Sequence, residues 1–539
     1  PKMKAWKRVV LAVLCAGIGV FVAVARQRVR DEYAQLAELI APLDVDGYTG
    51  EAASLARQAQ VVVLDRLTGA SAFSSGEDVT RELEWVPSTA MEGLRVTKLS
   101  TTKKSRSSMA GVNGRNALVV GTIRMGFGHH RIAYAACSWA LSSSAPAKSK
   151  DKPFSFKGGV YFHDVLAIDG PESALIRDSD TVYRTSSKLA TELGGPFEWA
   201  HALATRSGDA TSLRSTALVA ARLAPLMRGL PKNCALVASH SLVALAASLA
   251  GITDRVLNLV IDNHPQWFVV APKALNLVQG PRNYLGFFAK RSAADDVRLA
   301  GHWIPRDNVR FAADDAQKRQ RRNGKKPALR VLVPVGGAGA QRSFITGLVE
   351  GLEEDVRRGD VALILNAGDH DDVRDALSTA LADAGFLTDS DVHSVSTLED
   401  ARTLADTLLL DESSNATSIP PVTLCAFEDY FAAVAATDIL SRGVDVLACK
   451  PSELAFYPVP KLMIRRVGDH EAYSASRANE LGDGTAEVRT VAEALLYLRL
   501  FAQHRAALDV MNDAIQRNAQ AGLYDGAKTA LAIAAGALK

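Results

Sequence analysis

The chain has 539 residues, of which 48% are hydrophobic and 22% charged, and its formal net charge is +3. This length exceeds what one hydrophobic core usually organises and predicts two or three domains, while the balanced charge argues against a disordered chain and against one covered with nucleic acid. The five cysteines are scattered and form no C-x-x-C, which favours buried, reduced thiols and gives no sign of an oxidising compartment.

The N-terminal segment is apolar and has basic flanks. Val9–Ala25 carries no charged residue and lies between "KMKAWKR" and "RQRVRDE". Such a segment can just span a bilayer as a helix. We therefore expect residues 1–30 to form the anchor of a single-pass protein, in an organellar inner membrane or an envelope. The alternative is a secretory signal peptide, because Ala23-Val24-Ala25 fits an A-x-A cleavage site. Basic residues on both sides leave the orientation open.

Residues 31–98 predict a helical extension, because "DEYAQLAELIAPL" and "AASLARQAQVVVLDRL" carry apolar residues at helical spacing. From residue 99 onward, strand-like runs alternate with helical ones. We expect strands at Ala117–Ile123, Gly159–Ile168, Cys234–Ser239 and Val256–Asp262. This alternation is typical of a doubly wound α/β domain, which we assign to residues 99–318.

A second α/β domain is predicted over residues 319–490. It follows Ala312–Pro327, a charged, mostly basic stretch without apolar periodicity, which we interpret as a solvated hinge rather than a nucleic-acid contact. The pattern of strand, glycine turn and helix then recurs in "ALRVLVPVGGAGAQRSFITGLVEGLEEDV", and residues 491–539 form an alanine-rich helical end. The sequence therefore predicts two similar α/β domains with a cleft between them.

Each predicted domain has a glycine turn between a strand and a helix, at Gly126-Phe127-Gly128 and at Gly336-Gly337-Ala338-Gly339. Such turns present backbone N–H groups and the positive end of a helix dipole, which together bind phosphate. The first turn is not a dinucleotide fingerprint, because Arg131 stands in place of the third glycine. The absence of G-x-x-x-x-G-K-[ST] from the sequence argues against an ordinary nucleotide triphosphatase.

His129 and His130 follow the first glycine turn directly. Adjacent side chains diverge on a helix, so the pair is poorly placed to chelate one metal ion, and we expect no metal. A histidine beside a helix N-terminus has its charged form disfavoured and can accept a proton near neutral pH. The residues alone leave two roles open for His129, a general base in a cleft or an ordinary residue at the start of a helix.

Six segments between Asn116 and Val491 follow the order of a known set of motifs: "GFGHHRIA" (Gly126–Ala133), "VLNLVIDNHPQW" (Val256–Trp267), "GHWIPRD" (Gly301–Asp307), "VLVPVGGAGA" (Val331–Ala340), "VDVLACKPSEL" (Val444–Leu454) and "GDHEAYSASRANELGDG" (Gly468–Gly484). They resemble the motifs of GT-B glycosyltransferases. The branch concerned includes monogalactosyldiacylglycerol synthase and the bacterial GlcNAc transferase that makes lipid II. The first segment is similar to G-G-G-H-x-x-x-A, the fourth to L-L-V-x-G-G-G-x-G and the fifth to A-D-L-V-x-x-K-P-G-G-L.

The resemblance implies two Rossmann-like domains facing a cleft, with a nucleotide-sugar, by expectation a UDP-sugar, as donor substrate and no obligatory metal or other cofactor. It implies that His129 and Asp262 serve catalysis, with His129 as the base or as the group that orients the acceptor. Residues implied near the donor are Gly336, Gly337, Gly339, Lys450, Glu453, His470 and Glu471. Residues implied in the acceptor cleft are Gly126, Gly128 and His264.

One segment departs from the family pattern. Where the family has K-P-G-G-L, this chain has "KPSEL", with Ser452 and Glu453 in place of both glycines, and Pro458 and Pro460 obstruct the helix that would follow.

Three hypotheses follow from the sequence. The first is a membrane-anchored, inverting glycosyltransferase that acts on a lipid or membrane-proximal acceptor, with the bilayer as partner and no nucleic acid. The alternative is a catalytically inactive relative that serves as an accessory subunit of a multi-subunit membrane complex. A third, an epimerase of the same fold, needs paired carboxylates that the sequence does not locate.

Overall fold

The computed structural model describes residues 23–67, 80–100, 107–141, 154, 156–174, 176–177, 210–252, 255–290, 296–336, 339, 341–388, 390–410 and 420–536. Most of the expected membrane anchor, and Gly337 of the second glycine turn, lie outside these described residues. Within them, no helix has both the length and the apolar character needed to cross a bilayer.

The first half of the described chain alternates helices and strands. Its helices are α1 (23–40), α2 (Val45–Thr49), α3 (Leu55–Leu67), α4 (Phe127–Ala140), α5 (Thr211–Arg228), α6 (Ser241–Leu249), α7 (Pro281–Ala289), α8 (Arg306–Arg310) and α9 (Ala312–Lys325). Its strands are β1 (Leu83–Pro87), β2 (Leu94–Leu99), β3 (Ala117–Thr122), β4 (Gly159–Asp164), β5 (Ala235–Ala238), β6 (Val256–Leu259), β7 (Leu275–Val278) and β8 (Val297–Leu299).

The second half repeats this alternation and ends in helices. Its strands are β9 (Leu329–Pro334), β10 (Val361–Gly368), β11 (Val392–Val395), β12 (Val422–Ala426), β13 (Val446–Cys449) and β14 (Lys461–Met463). Its helices are α10 (Arg342–Gly351), α11 (Glu353–Arg357), α12 (Asp371–Asp383), α13 (Leu398–Leu409), α14 (Tyr430–Leu440), α15 (Ala472–Leu481), α16 (Val491–Gln503), α17 (Ala506–Gln520) and α18 (Gly526–Ala534).

The N-terminal sheet has eight strands in the order β1-β2-β4-β3-β5-β6-β7-β8. All neighbours pair in parallel except β1 and β2. Its central strands are continuous apolar runs such as "ALVVGT" in β3, because helices cover both faces of a parallel sheet. The chain runs from β3 to β4 on one side of β3, and later returns to form β5 on the other side. The switch point, where open α/β sheets bind ligands, therefore lies between β3 and β5.

The C-terminal sheet has six parallel strands in the order β11-β12-β10-β9-β13-β14. Its switch point lies between β9 and β13. The second glycine turn follows β9, and the segment "KPSEL" follows β13. The predicted pair of α/β domains, each with a glycine turn after its central strand, is therefore present.

Among the described residues of the predicted helical extension over 31–98, helix is found up to Leu67 and strand from Leu83 onward. Residues Leu83–Pro87 and Leu94–Leu99 instead form β1 and β2, an antiparallel pair that extends the N-terminal sheet through β4. The helical part contacts the domain through an ion pair, in which Asp46 accepts two hydrogen bonds from the buried Arg214 of α5 at 2.6 and 2.9 Å. These segments belong to the N-terminal domain rather than standing apart from it.

The predicted hinge at Ala312–Pro327 is wrong, because residues 312–325 form helix α9. Its acidic first turn and basic last turn complement the helix dipole. It has no apolar period because the face that it buries against α17 is polar. Arg319 donates to Asn512 at 2.8 Å, and Asn323 donates to Asp509 at 2.8 Å.

Helix α18 crosses back from the end of the C-terminal domain to the N-terminal one, where it packs against α4 and β5. Gly526 makes this approach possible, because its N–H donates to the His302 carbonyl at 3.0 Å and a Cβ there would lie 2.3 Å from the Gly301 oxygen. The two domains are thus joined both by α9 and by the C-terminal end of the chain.

Candidate functional site

His129 lies in the first turn of α4, at the switch point of the N-terminal sheet. Its Nδ1 is 2.9 Å from the backbone oxygen of Ser239, the residue that follows β5. Because a carbonyl oxygen only accepts, Nδ1 carries the proton and Nε2 is the basic nitrogen. Burial lowers the pKa of His129, while the Ser239 carbonyl and the carboxylates of Asp262 and Glu453 act in the opposite direction. The ring is therefore neutral at pH 7 and able to take up a proton.

His240 lies directly against His129, with ring centroids 4.5 Å apart. Its Nδ1 accepts the Leu242 N–H at 3.0 Å and so caps helix α6. Burial, and then the proximity of His129, lower the pKa of His240 well below its usual value. The sequence did not single out this residue as part of the site.

His130 points away from His129, as expected for adjacent residues on a helix. It is 1% exposed, lies 3.2 Å from an Asp164 carboxylate oxygen and packs edge-on against Tyr430. In the part of the chain that the structure describes, no group of three His, Cys, Asp or Glu side chains is placed to hold a metal ion.

The C-terminal half of the site combines the second glycine turn with a buried ion pair. Gly339 has a left-handed φ of +62° and donates to the Gly336 carbonyl at 2.8 Å. The stem of Lys450 lies over Gly336, where a Cβ would be 2.8 Å from Lys450 Cε. The Lys450 ammonium contacts Glu471. The glycine turn and one cation therefore share the switch point of the C-terminal sheet.

Glu471 holds this half of the site in place. Its second carboxylate oxygen accepts the N–H groups of Val467 at 2.7 Å and Gly468 at 3.3 Å. Burial opposes ionisation, but Lys450, His470 and these hydrogen bonds outweigh it, so the pKa of Glu471 is lowered. Glu471 is thus a charged anchor for Lys450.

His264 joins the two halves of the cleft. Its ring stacks on Tyr473 of α15 at a centroid distance of 4.3 Å, and the neighbouring Asn263 donates to the Tyr473 carbonyl at 3.3 Å. Burial, and then the proximity of Arg282, His470 and Lys290, lower the pKa of His264 to about 4. His264 is therefore neutral at pH 7 and lies against the C-terminal domain.

Glu453 reaches across to the N-terminal domain. Its Oε1 lies 2.5 Å from Arg131 Nη1, and a Cβ on Gly128 would lie 2.7 Å from its Oε2. Arg131 also donates to Thr437 at 3.0 Å and lies 3.7 Å from Asp438. The residue that breaks the dinucleotide fingerprint is therefore an inter-domain contact. The only signal for this role in the sequence is indirect, an arginine in a helix most of whose other residues are apolar or aromatic.

Further contacts cover the N-terminus of α4. The Tyr430 hydroxyl donates to the Gly126 carbonyl at 3.1 Å, and the Phe127 ring packs on His370 at 5.5 Å. Arg124 lies 3.3 Å from the Asp369 carboxylate. His129 nevertheless remains partly exposed. The first glycine turn is thus enclosed by the C-terminal domain, while the histidine beside it stays accessible.

Two family models match the chain in sequence, a domain of unknown function (DUF6937) over residues 70–289 and a second (DUF6938) over residues 292–535. No curated protein matches the chain in sequence. The two matches divide the chain just before β8, so the last strand and the linking helices are counted with the C-terminal part.

Solved structures similar to the chain include UDP-GlcNAc 2-epimerase from Neisseria meningitidis bound to UDP-GlcNAc, with 10% identity and a TM-score of 0.41 over 76% of this chain and 97% of that one. HepE from Anabaena, in complex with UDP and glucose, has 12% identity and a TM-score of 0.37 over 78% and 99%. The trehalose-6-phosphate synthase OtsA has 13% identity and a TM-score of 0.34 over 78% and 97%. At these TM-scores the likeness carries no weight of its own. The two-domain α/β architecture rests on the strand orders and inter-domain contacts described above.

Proposed function

We propose that the chain is an inverting glycosyltransferase that moves a sugar from a nucleotide-sugar, by first choice a UDP-sugar, to an acceptor hydroxyl in the cleft. The observation that carries this proposal is the contact of His129 Nδ1 with the Ser239 carbonyl, which leaves Nε2 as a base at the switch point of the sheet. The order of the sequence motifs supports the GT-B branch named above.

In this proposal His129 Nε2 takes the proton of the acceptor hydroxyl, and the nearby Asp262 carboxylate stabilises the imidazolium that forms. The acceptor oxygen forms a bond to the anomeric carbon as the bond to the diphosphate oxygen breaks, so the configuration inverts. The electron pair leaves with the diphosphate. The backbone of Gly336 and Gly339 and the Lys450 ammonium are the groups that we assign to its charge.

We further propose that the acceptor lies close to a membrane. The support for this is the uncharged segment Val9–Ala25, which as an anchor would hold the cleft near a bilayer. A lipid hydroxyl is then the acceptor that we favour, and a single-pass membrane protein is the form in which the chain would act.

One observation favours a second candidate, a catalytically inactive accessory subunit of a membrane complex. Glu453 stands where the family motif has a glycine, and the buried ion pair that it forms with Arg131 brings the two domains together at the mouth of the cleft. An accessory role predicts that the full chain copurifies with membrane proteins in mild detergent and binds no nucleotide.

The proposal is tested by measuring the turnover of UDP-glucose and UDP-GlcNAc in the wild type, in His129→Ala and in His393→Ala. His393 serves as the matched control, because it is an exposed residue of β11, an edge strand of the C-terminal sheet. Loss of a general base reduces turnover by roughly 10²–10⁴-fold, so we expect that loss in His129→Ala alone. Equal turnover in all three proteins would remove His129 from the mechanism.

A further inference from the structure

A cavity of about 470 Å³ is lined by residues of both domains. It is lined by one face of α4, by the chain around Pro305–Asn308 and by helices α13 and α14. None of the residues assigned above to catalysis or to the donor lines it. Its size is within the usual range of small-molecule sites.

The buried carboxylate of this cavity is that of Asp438, a residue only 7% exposed; the amide of Asn308, also buried in the lining, donates to the Asp438 carbonyl and to the Ser441 hydroxyl, both at 3.0 Å. Oδ1 accepts the Tyr457 hydroxyl at 2.6 Å. Among the described residues, no hydrogen bond to Oδ2 is formed. The nearest guanidinium, that of Arg131, lies 3.7 Å away and is bound more closely by Glu453, at 2.5 Å. Asp438 therefore shares its nearest cation with a second buried carboxylate, that of Glu453.

Most of the other charges around the cavity lie in pairs, and the additional carboxylate, that of Glu92, is exposed. Arg442 is neutralised by Asp315 at 2.8 Å, and Arg306 is adjacent to Asp307. Arg402 and Asp406 are exposed and one helical turn apart on α13. Much of the remaining lining is apolar and includes Met91, Leu398 and Ile439. The cavity thus combines an apolar wall with a buried carboxylate that lacks a full counter-charge.

We propose that this cavity binds a small organic cation, an amine or amidine carried on an apolar group, whose charged nitrogen donates to Asp438 Oδ2. A buried carboxylate is stable when a cation with hydrogen-bond donors is present, and a flat apolar body matches the wall of the cavity. Burial raises the pKa of Asp438 to about 7, against the effect of Arg131, so the carboxyl is partly protonated when the cavity holds no cation. The inference does not depend on the proposed glycosyltransferase function.

Benzamidine is a suitable probe, and benzoate, which has a similar shape and the opposite charge, is its control. Saturation-transfer NMR and calorimetry on the full chain should show saturable binding of benzamidine and none of benzoate at millimolar concentration. Asp438→Asn should weaken benzamidine binding at least about tenfold, because it removes a charge-assisted hydrogen bond. Asp406→Asn, which removes an exposed carboxylate at the same cavity, should leave the affinity within about twofold.

A second variant keeps the test valid if Asp438→Asn does not fold. Ala435→Phe retains the carboxylate but fills the cavity from α14, and it should also abolish binding of benzamidine. Three results would each overturn the inference: no binding of benzamidine to the wild type, equal binding of benzoate, or unchanged affinity in Ala435→Phe.

Discussion

Arg131 is the residue whose environment differs most from what its sequence context suggests. It is 2% exposed, yet apart from the neighbouring His130 the other buried residues of its helix are apolar or aromatic. Its contacts are Glu453, 322 positions further on, and Thr437 and Asp438 of α14. Glu453 and Asp438 depend on Arg131 for their charge balance, because an isolated buried carboxylate is costly.

Arg131→Met should therefore destabilise the fold strongly. Removing one partner of a buried ion pair costs about 3–5 kcal/mol, because the other charge stays buried without compensation. Urea unfolding of the wild type and the variant measures this difference. Arg321→Met, at an exposed position of α9, is the matched control and should leave the midpoint nearly unchanged. A loss in Arg131→Met of less than about 1 kcal/mol would show that the ion pair does not hold the domains together.

Sequence reasoning predicted only part of the site at this scale. His129 could be singled out because a glycine turn and a helix start are local patterns. The ion pair of Arg131 with Glu453 could not, since its two members are distant in sequence and each can be read as an ordinary surface charge. The same holds for His240, whose proximity to His129 depends on the pairing of β3 with β5.

At the scale of elements, the interfaces that sequence analysis missed are those built from polar residues or short strands. The sequence predicts a hinge in place of α9, because this helix buries arginine and asparagine rather than apolar side chains against α17. It predicts helix in place of β1 and β2, although Trp85, Val86 and Val96 are residue types that favour strands. The longer apolar strands were predicted correctly because each is a continuous buried run.

The return of α18 to the N-terminal domain depends on a glycine. In Gly526→Ala the new Cβ would lie 2.3 Å from the Gly301 oxygen, so α18 would be displaced, at a cost of about 1–3 kcal/mol. Gly324→Ala is the matched control, because Gly324 lies in the last turn of α9 with no atom within 4 Å of its added Cβ. Since alanine favours helix, that control should stabilise by at most about 1 kcal/mol.

Thermal unfolding of both glycine variants checks this prediction. We expect a lower midpoint for Gly526→Ala and an equal or slightly higher one for Gly324→Ala. Equal shifts of the same sign would mean that the contact between α18 and Gly301 does not contribute to the stability of the chain.

At the scale of the whole molecule, buried neutral histidines predict a loss of stability in acid. Burial lowers the pKa of His302 to about 3 and that of His163 to about 4, against about 6.5 in an unfolded chain. The unfolded state therefore binds more protons below pH 6.5. The stabilising contribution of these residues is complete above that pH and is lost progressively as the pH falls toward 3.

His302→Phe tests this dependence. The substitution retains stacking on Phe456, which lies 4.5 Å away by ring centroids, and removes one titrating group. Between pH 6.5 and 4 the free energy of unfolding should fall less steeply than in the wild type, by up to about 1.4 kcal/mol per pH unit. Parallel urea-unfolding curves across this range for the two proteins would contradict the prediction.

The domain plan of the whole molecule followed from the sequence because each domain repeats a local scheme of strand, glycine turn and helix. How the domains close on each other did not follow, since that depends on Arg131, His264 and Glu453 meeting partners in the opposite domain. The departure "KPSEL" was visible in the sequence, but its consequence, a carboxylate that bridges the domains, required the structure.

The most direct test of the proposed function is calorimetric titration of UDP into the full chain, together with the effect of UDP on thermal unfolding. We expect saturable binding and a raised unfolding temperature in the wild type. Binding should be weaker by about tenfold or more in Lys450→Ala, which removes the cation beside the glycine turn. No heat and no shift with UDP or any other nucleotide at millimolar concentration would contradict the transferase and favour the accessory subunit.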